Sequence, residues 1–60
     1  MREMYFVKGK NGHNKPVEVY QPNVQAARVT RDRLAAESIT DLEIERWEET
    51  DDGWKVSVVD

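Results

Sequence analysis

The sequence predicts an α+β domain with the element order ββαββ. One helix packs on a four-stranded mixed sheet of strand order 2-1-4-3. Three observations carry this. Asn11-Gly12 lies between two segments rich in β-branched and aromatic residues. An Ala-rich stretch follows an Asn that can cap a helix. Asp51-Asp52-Gly53 lies between two segments that alternate apolar and polar residues. Hairpin, helix and hairpin then fill the 60-residue chain, and one helix over four strands is an economical way to bury a face of each.

The first strand is read over residues 3–8, Glu-Met-Tyr-Phe-Val-Lys, and the second over 17–21, Val-Glu-Val-Tyr-Gln. Asn-Gly is the strongest short-range hairpin signal. With Asn11 and Gly12 as the two turn residues, Phe6 falls opposite Val17 and Met4 opposite Val19. These four then share the core face, and Tyr5, Val7, Glu18 and Tyr20 take the other. The same register sets Lys8 against Lys15. Pro16 cannot donate a ladder hydrogen bond, which assigns the second strand to an edge. Asn23 is a good N-cap for a helix over residues 24–37. Its apolar stripe is Val24, Ala27, Leu34 and Ala35, continued by Ile39, with Arg31 anomalously in the middle.

Residues 41–49 alternate Leu42 and Ile44 against Glu43, Glu45 and Trp47. Asp51-Asp52-Gly53 fits a three-residue loop with Gly53 in a left-handed bulge, which sets Thr50 opposite Trp54. Leu42, Ile44, Trp54, Val56 and Val58 then share the core face. Glu43, Glu45, Trp47, Glu49, Ser57 and Val59 take the other. A two-residue Asp52-Gly53 turn would instead group Trp47 with Val56 and Val58, and split Leu42 and Ile44 from them. Right-handed crossover favours the first and last strands parallel at the centre.

With Trp47 and then Gly53-Trp54-Lys55-Val56-Ser57-Val58 in its second hairpin, the chain resembles β-grasp modules of the protein G and protein L immunoglobulin-binding type. That resemblance implies the plan of the fold. The helix residues that carry antibody binding in those modules have no counterpart here, so no binding role is carried over. Residues 17–46, in Val17-Glu18-Val19-Tyr20, the Ala-rich helix and Leu42-Glu43-Ile44-Glu45-Arg46, are similar to a small phage inhibitor of bacterial RNA polymerase. Residues 28–59 are similar to part of a gas-vesicle accessory protein in the acidic hairpin Glu48–Val56. No residue roles come with either likeness.

Size and composition bound the function. Sixty residues form a single domain, 1–60. A core of that size supplies only roughly 3–5 kcal/mol of net stability. There is no cysteine and one histidine, so neither a disulfide nor a zinc site is expected to brace it. No cofactor and no metal are expected. The cysteine-free composition and the lack of a long apolar run fit a soluble, cytoplasmic protein with no membrane partner. The net charge of −3 is unevenly spread. Residues 1–36 carry seven basic and three acidic residues; residues 37–60 carry two basic and nine acidic.

No enzyme signature is present. His13 has no nearby nucleophile or orienting carboxylate. The acidic run Glu48, Glu49, Asp51, Asp52 lacks the spacing of a calcium loop, and Gly9-Lys10-Asn11-Gly12 lacks the ending of a phosphate loop. Lys8, Lys10, His13 and Lys15 form a basic tip that could touch phosphates, but nucleic acid is a poor partner for an acidic chain. The stronger signal is the uncovered sheet face. Tyr5, Val7, Tyr20, Trp47 and Val59, with Glu43, Glu45 and Glu49, compose an aromatic anchor with a charged rim, the common anatomy of a protein interface. A protein with a basic surface, or a second copy of the chain, is the expected partner.

Overall fold

The computed structural model describes residues 2–60. It contains β1 (Glu3–Lys10), β2 (Pro16–Gln21), α1 (Val24–Ala36), β3 (Thr40–Thr50) and β4 (Gly53–Val58). One helix packs on a four-stranded sheet in the expected element order. The sheet itself differs from the expectation. Its order is β2-β1-β3-β4, and every pairing is antiparallel. The mixed 2-1-4-3 sheet is thereby overturned, since β3 rather than β4 lies beside β1.

The registers within the two hairpins also differ from the expectation, and there the turns show the difference. The first turn does not use Asn11 and Gly12 as its central pair. Asn11 N donates to Lys15 O at 3.0 Å, and Asn14 N donates to Asn11 O at 3.0 Å. Asn14 takes the left-handed conformation, with φ 60°, which asparagine tolerates better than most residues. The Asn11 carboxamide oxygen accepts from His13 N at 2.9 Å and Lys15 N at 3.1 Å, so Asn11 anchors the turn from its flank. Phe6 consequently falls opposite Tyr20, Val7 opposite Val19 and Lys8 opposite Glu18. An odd shift in register exchanges the two faces of one strand relative to the other.

The second turn slips by one residue from the expected bulged loop. Thr50 lies opposite Gly53, and Trp47 opposite Val56. Gly53 has φ +118°, a conformation open to glycine. The Thr50 hydroxyl donates to Gly53 O at 2.8 Å and accepts from Asp52 N at 3.3 Å. Leu42 and Ile44 are thus split from Trp54, Val56 and Val58 after all.

The helix begins where the sequence marks it. Asn23 has an extended backbone, and its side chain accepts from Ala26 N at 2.8 Å. It ends at Ala36 with Ser38 left-handed, φ 68°. Ser38 N donates to Ala35 O at 3.1 Å and Ile39 N to Leu34 O at 3.0 Å. That paired arrangement satisfies the last carbonyls and returns Ile39 to the core.

The core comprises Tyr5, Val7, Ala27, Leu34 and Ile44, with Val17, Val19, Val24, Ile39, Leu42 and Val59 packed around them. Thr30, not Arg31, occupies the middle of the inner helix face, where its hydroxyl accepts from Gln21 Nε2 at 2.9 Å. Ala35 is exposed. A helix whose inner face is Ala27 and Thr30 lies close to the sheet, and Val7 and Ile44 fill the space beneath it. β4 turns Lys55 and Ser57 toward the helix side, so it cannot serve as a central strand under α1. The helix accordingly lies over β1, β2 and β3 and does not reach β4.

Gly9 marks the tightest point of this packing. The pairing of β1 with β3 shifts between Lys8 and Lys10, where Asp41 is left-handed with φ 56°. A Cβ on Gly9 would lie 2.7 Å from Ile39 Cγ2 and 2.9 Å from both Leu42 Cδ2 and Thr40 O. Gly9→Ala is expected to lower stability by about 1–3 kcal/mol through overpacking. The urea midpoint checks this; an unshifted midpoint would show that Ile39 and Leu42 yield freely.

Candidate interaction surface

The sheet face away from α1 carries four of the five aromatic residues of the chain. Register places Tyr20 beside Phe6 on neighbouring strands, and Trp47 beside Met4 and Val56. Trp54 pairs with Glu49 one step further along. The rings form a diagonal stripe across all four strands. Phe6 meets Tyr20 edge-on at 5.9 Å and Trp47 at 5.7 Å, and Trp47 meets Trp54 at 6.4 Å. These separations lie in the favourable range for tilted aromatic pairs. Tyr20 remains 53% exposed, Trp54 41%, Val56 46% and Val58 60%.

Charge is organised around the stripe. The Lys8 ammonium sits 3.1 Å from Glu45 and 3.4 Å from Glu18. The Trp47 indole donates to Glu45 at 3.2 Å. Burial pushes the Glu45 carboxyl up, but hydrogen bonds from Lys8 and Trp47, with the Lys8 charge, outweigh it and hold it below the usual glutamate value. The hydrogen bond to Glu45 raises Lys8, against partial desolvation. Glu43 and Glu49 complete the rim. Across the sheet, Asp60 is held low first by its hydrogen bond from Arg31 and then by Arg28, 3.2 Å away. Arg31 therefore reaches from the flank of the helix to the end of the chain and ties it down.

Both carboxyls have folded-state values below their unfolded ones. Their contribution is therefore present above the unfolded value and lost as pH falls through the folded one. Stability is expected to decline from about pH 4 downward, near the unfolded carboxylate values. Glu45→Gln combined with Asp60→Asn should flatten that limb of the profile, as read by thermal melts across pH. An equally steep acid limb in the double variant would assign the loss to other carboxylates.

Several expected site residues lie elsewhere. Tyr5 and Val7 are buried beneath the helix, at 7% and 0% exposure, and Val59 packs against the same core. Their removal from the open face follows from the two turn registers. Tyr20, Glu43, Glu45, Trp47 and Glu49 are on the open face as expected. Met4, Phe6, Trp54, Val56 and Val58, expected in the core, join them. Asn14 was the available sign of the first register, because a left-handed asparagine there lengthens the loop.

The basic tip is dispersed. Lys8 lies opposite Glu18 rather than Lys15, and its charge is taken up by two carboxylates. Lys10, His13 and Lys15 remain at the hairpin end. An open groove of about 300 Å³ beside them includes Lys8, Lys10, Glu18 and Asp41, so it mixes both signs of charge. Among the described residues, no helix is long and apolar enough to cross a membrane. Comparisons with protein-family models, curated proteins and solved structures find no match to this chain.

Proposed function

We propose that the chain is a small, non-enzymatic, cytoplasmic interaction module that docks its open sheet face on a basic protein surface. The observation that carries this is the aromatic stripe Tyr20–Phe6–Trp47–Trp54, which spans all four strands with no layer over it. Exposed apolar patches rimmed by charge are typical of binding surfaces. Glu18, Glu43, Glu45 and Glu49 surround the stripe on the same face and favour a partner rich in Arg and Lys. Arginine would stack on the indoles while pairing with the carboxylates. An inhibitor of phage type that engages a host nucleic-acid machine fits this chemistry, with carboxylates in the place of phosphates.

Nucleic acid itself is a weaker reading, because Glu18 and Glu45 neutralise Lys8 at the centre of the expected basic cluster.

Both tryptophans of the chain lie on this face, so their emission reports on it directly. Titration with a captured basic partner should shift that emission to the blue and weaken steeply as salt rises. A partner that binds with no change in tryptophan emission would remove the open face from the interaction.

A further inference from the structure

The two edges of the sheet are built differently. Glu49 N donates to Arg2 O at 2.9 Å on the β1 side of β3. On the other side, Ile44 O accepts from Val59 N at 2.9 Å and Ile44 N donates to Asp60 O at 3.0 Å. Odd positions of β3 therefore bond to β1 and even positions to the β4 side, as antiparallel alternation requires. Because Glu48 lies opposite Lys55 and Arg46 opposite Ser57, those residues of β4 turn their backbone groups inward. Trp54, Val56 and Val58 turn theirs outward.

The same reasoning applies to β2. Asn11 N bonds to Lys15 O, and Gly9 lies opposite Val17. The outward positions are then Pro16, Glu18 and Tyr20. One edge offers a residue with no N–H and a charged residue, two common ways to block strand addition. The other offers three complete donor–acceptor residues, Trp54, Val56 and Val58, and its single charge, Lys55, lies at an inward-bonded position with its side chain on the helix side.

We infer that β4 is a pairing edge and that its partner is β4 of a second copy, antiparallel across a two-fold axis. The two sheets then join into one continuous sheet of eight strands. Self-complementarity selects the register. Residues opposite each other share a face, so the outward trio must meet the outward trio. With Val56 opposite Val56 of the second copy, Trp54 faces Val58 and Lys55 faces Ser57, and each outward residue exchanges both hydrogen bonds. A shift toward the turn sets Lys55 against itself, which costs stability. A shift toward the chain end leaves Trp54 without a partner in the trio.

The helix stays clear of this edge, because it does not reach β4. The apolar groups of Trp54, Val56 and Val58 gain cross-strand neighbours, while the centre of the open face, at Phe6 and Trp47, stays free. The dimer therefore presents two copies of that face side by side. A contact through one short strand is smaller than the roughly 1,200 Å² of a standard interface, so dilution should dissociate it.

Light scattering over a concentration series should show the mass rising from monomer to dimer. A mass that stays monomeric throughout overturns the inference. The chain has no cysteine, so single cysteines test the register. Residues of a hydrogen-bonded antiparallel pair have Cα atoms about 5.5 Å apart, within the range a disulfide spans. Val56→Cys should cross-link to itself under mild oxidation far faster than Lys55→Cys or Ser57→Cys. Equal rates at the three positions, or a preference for either neighbour, contradict the Val56-centred pairing.

Val56→Pro removes an outward N–H and no bond within the chain. It should abolish the dimer and leave the circular dichroism spectrum unchanged. A dimer that survives Val56→Pro but is lost in Trp47→Ala assigns self-association to the open face and overturns edge pairing. This outcome is separate from partner binding, which the monomer alone can support.

Discussion

Ile44→Ala is expected to leave most of the protein unfolded at 25 °C. Ile44 is fully buried between β1 and the helix, opposite Val7. Deleting such a side chain costs about 2–5 kcal/mol, from lost burial and from the cavity left behind. A domain of this size has roughly 3–5 kcal/mol in total, so one substitution consumes most of it. Val58→Ala is the informative contrast. Val58 is two positions beyond Val56 on the open face and 60% exposed, and its loss should cost within about 0.5 kcal/mol. Far-ultraviolet circular dichroism with urea titration reads both. Equal stability of the two variants would place the helix on the wrong face of the sheet.

Trp47→Ala should act on binding. Trp47 lies at the middle of the stripe, between Phe6 and Trp54. Central aromatic residues commonly contribute about 2–4 kcal/mol on truncation, or about 30- to 1,000-fold in Kd at 1.4 kcal/mol per decade. The substitution also removes two ring contacts worth about 0.5–1.5 kcal/mol each. Binding must therefore be measured where circular dichroism shows the variant folded. Trp47→Phe retains a ring and should recover part of the affinity. Glu49→Lys, which reverses a rim charge without touching the core, should slow association and reduce the salt dependence. Wild-type affinity in a folded Trp47→Ala protein would refute docking through this face.

Much of the architecture was legible because its signals are local. Asn23 caps the helix through a bond to a residue three positions on, and that bond depends on little else. Pro16 points to an edge because a missing N–H is a property of one residue, and β2 is an edge strand. The helix boundary, the two hairpins and the acidic character of β3 were readable for the same reason. So was the existence of an apolar face beyond what one helix covers, because the chain holds more strand apolar residues than one side of the sheet can hide.

Which face that would be was decided only in three dimensions. A strand has a side-chain period of two, so a single residue gained or lost in a turn exchanges its faces. In the first turn Asn14, rather than Gly12, supplies the left-handed residue. In the second, Thr50 pairs with Gly53 instead of Trp54. In the first turn the local preference was for Asn11-Gly12 as the central pair and was overridden, and in the second both alternatives use acceptable turn residues. The choice falls to packing across distant elements. Tyr5, Val7 and Ile44 pack with Ala27 and Leu34 in the core beneath the helix, with Val19 beside them, and Phe6, Trp47 and Trp54 are left on the opposite face. Strand order follows from the same competition. Leu42 and Ile44 bring β3 under the helix, and Lys55 and Ser57 leave β4 at the rim. Hydrogen bonds and caps within a few residues determined the elements, while the shape of the space between helix and sheet determined which side chains were left for a partner.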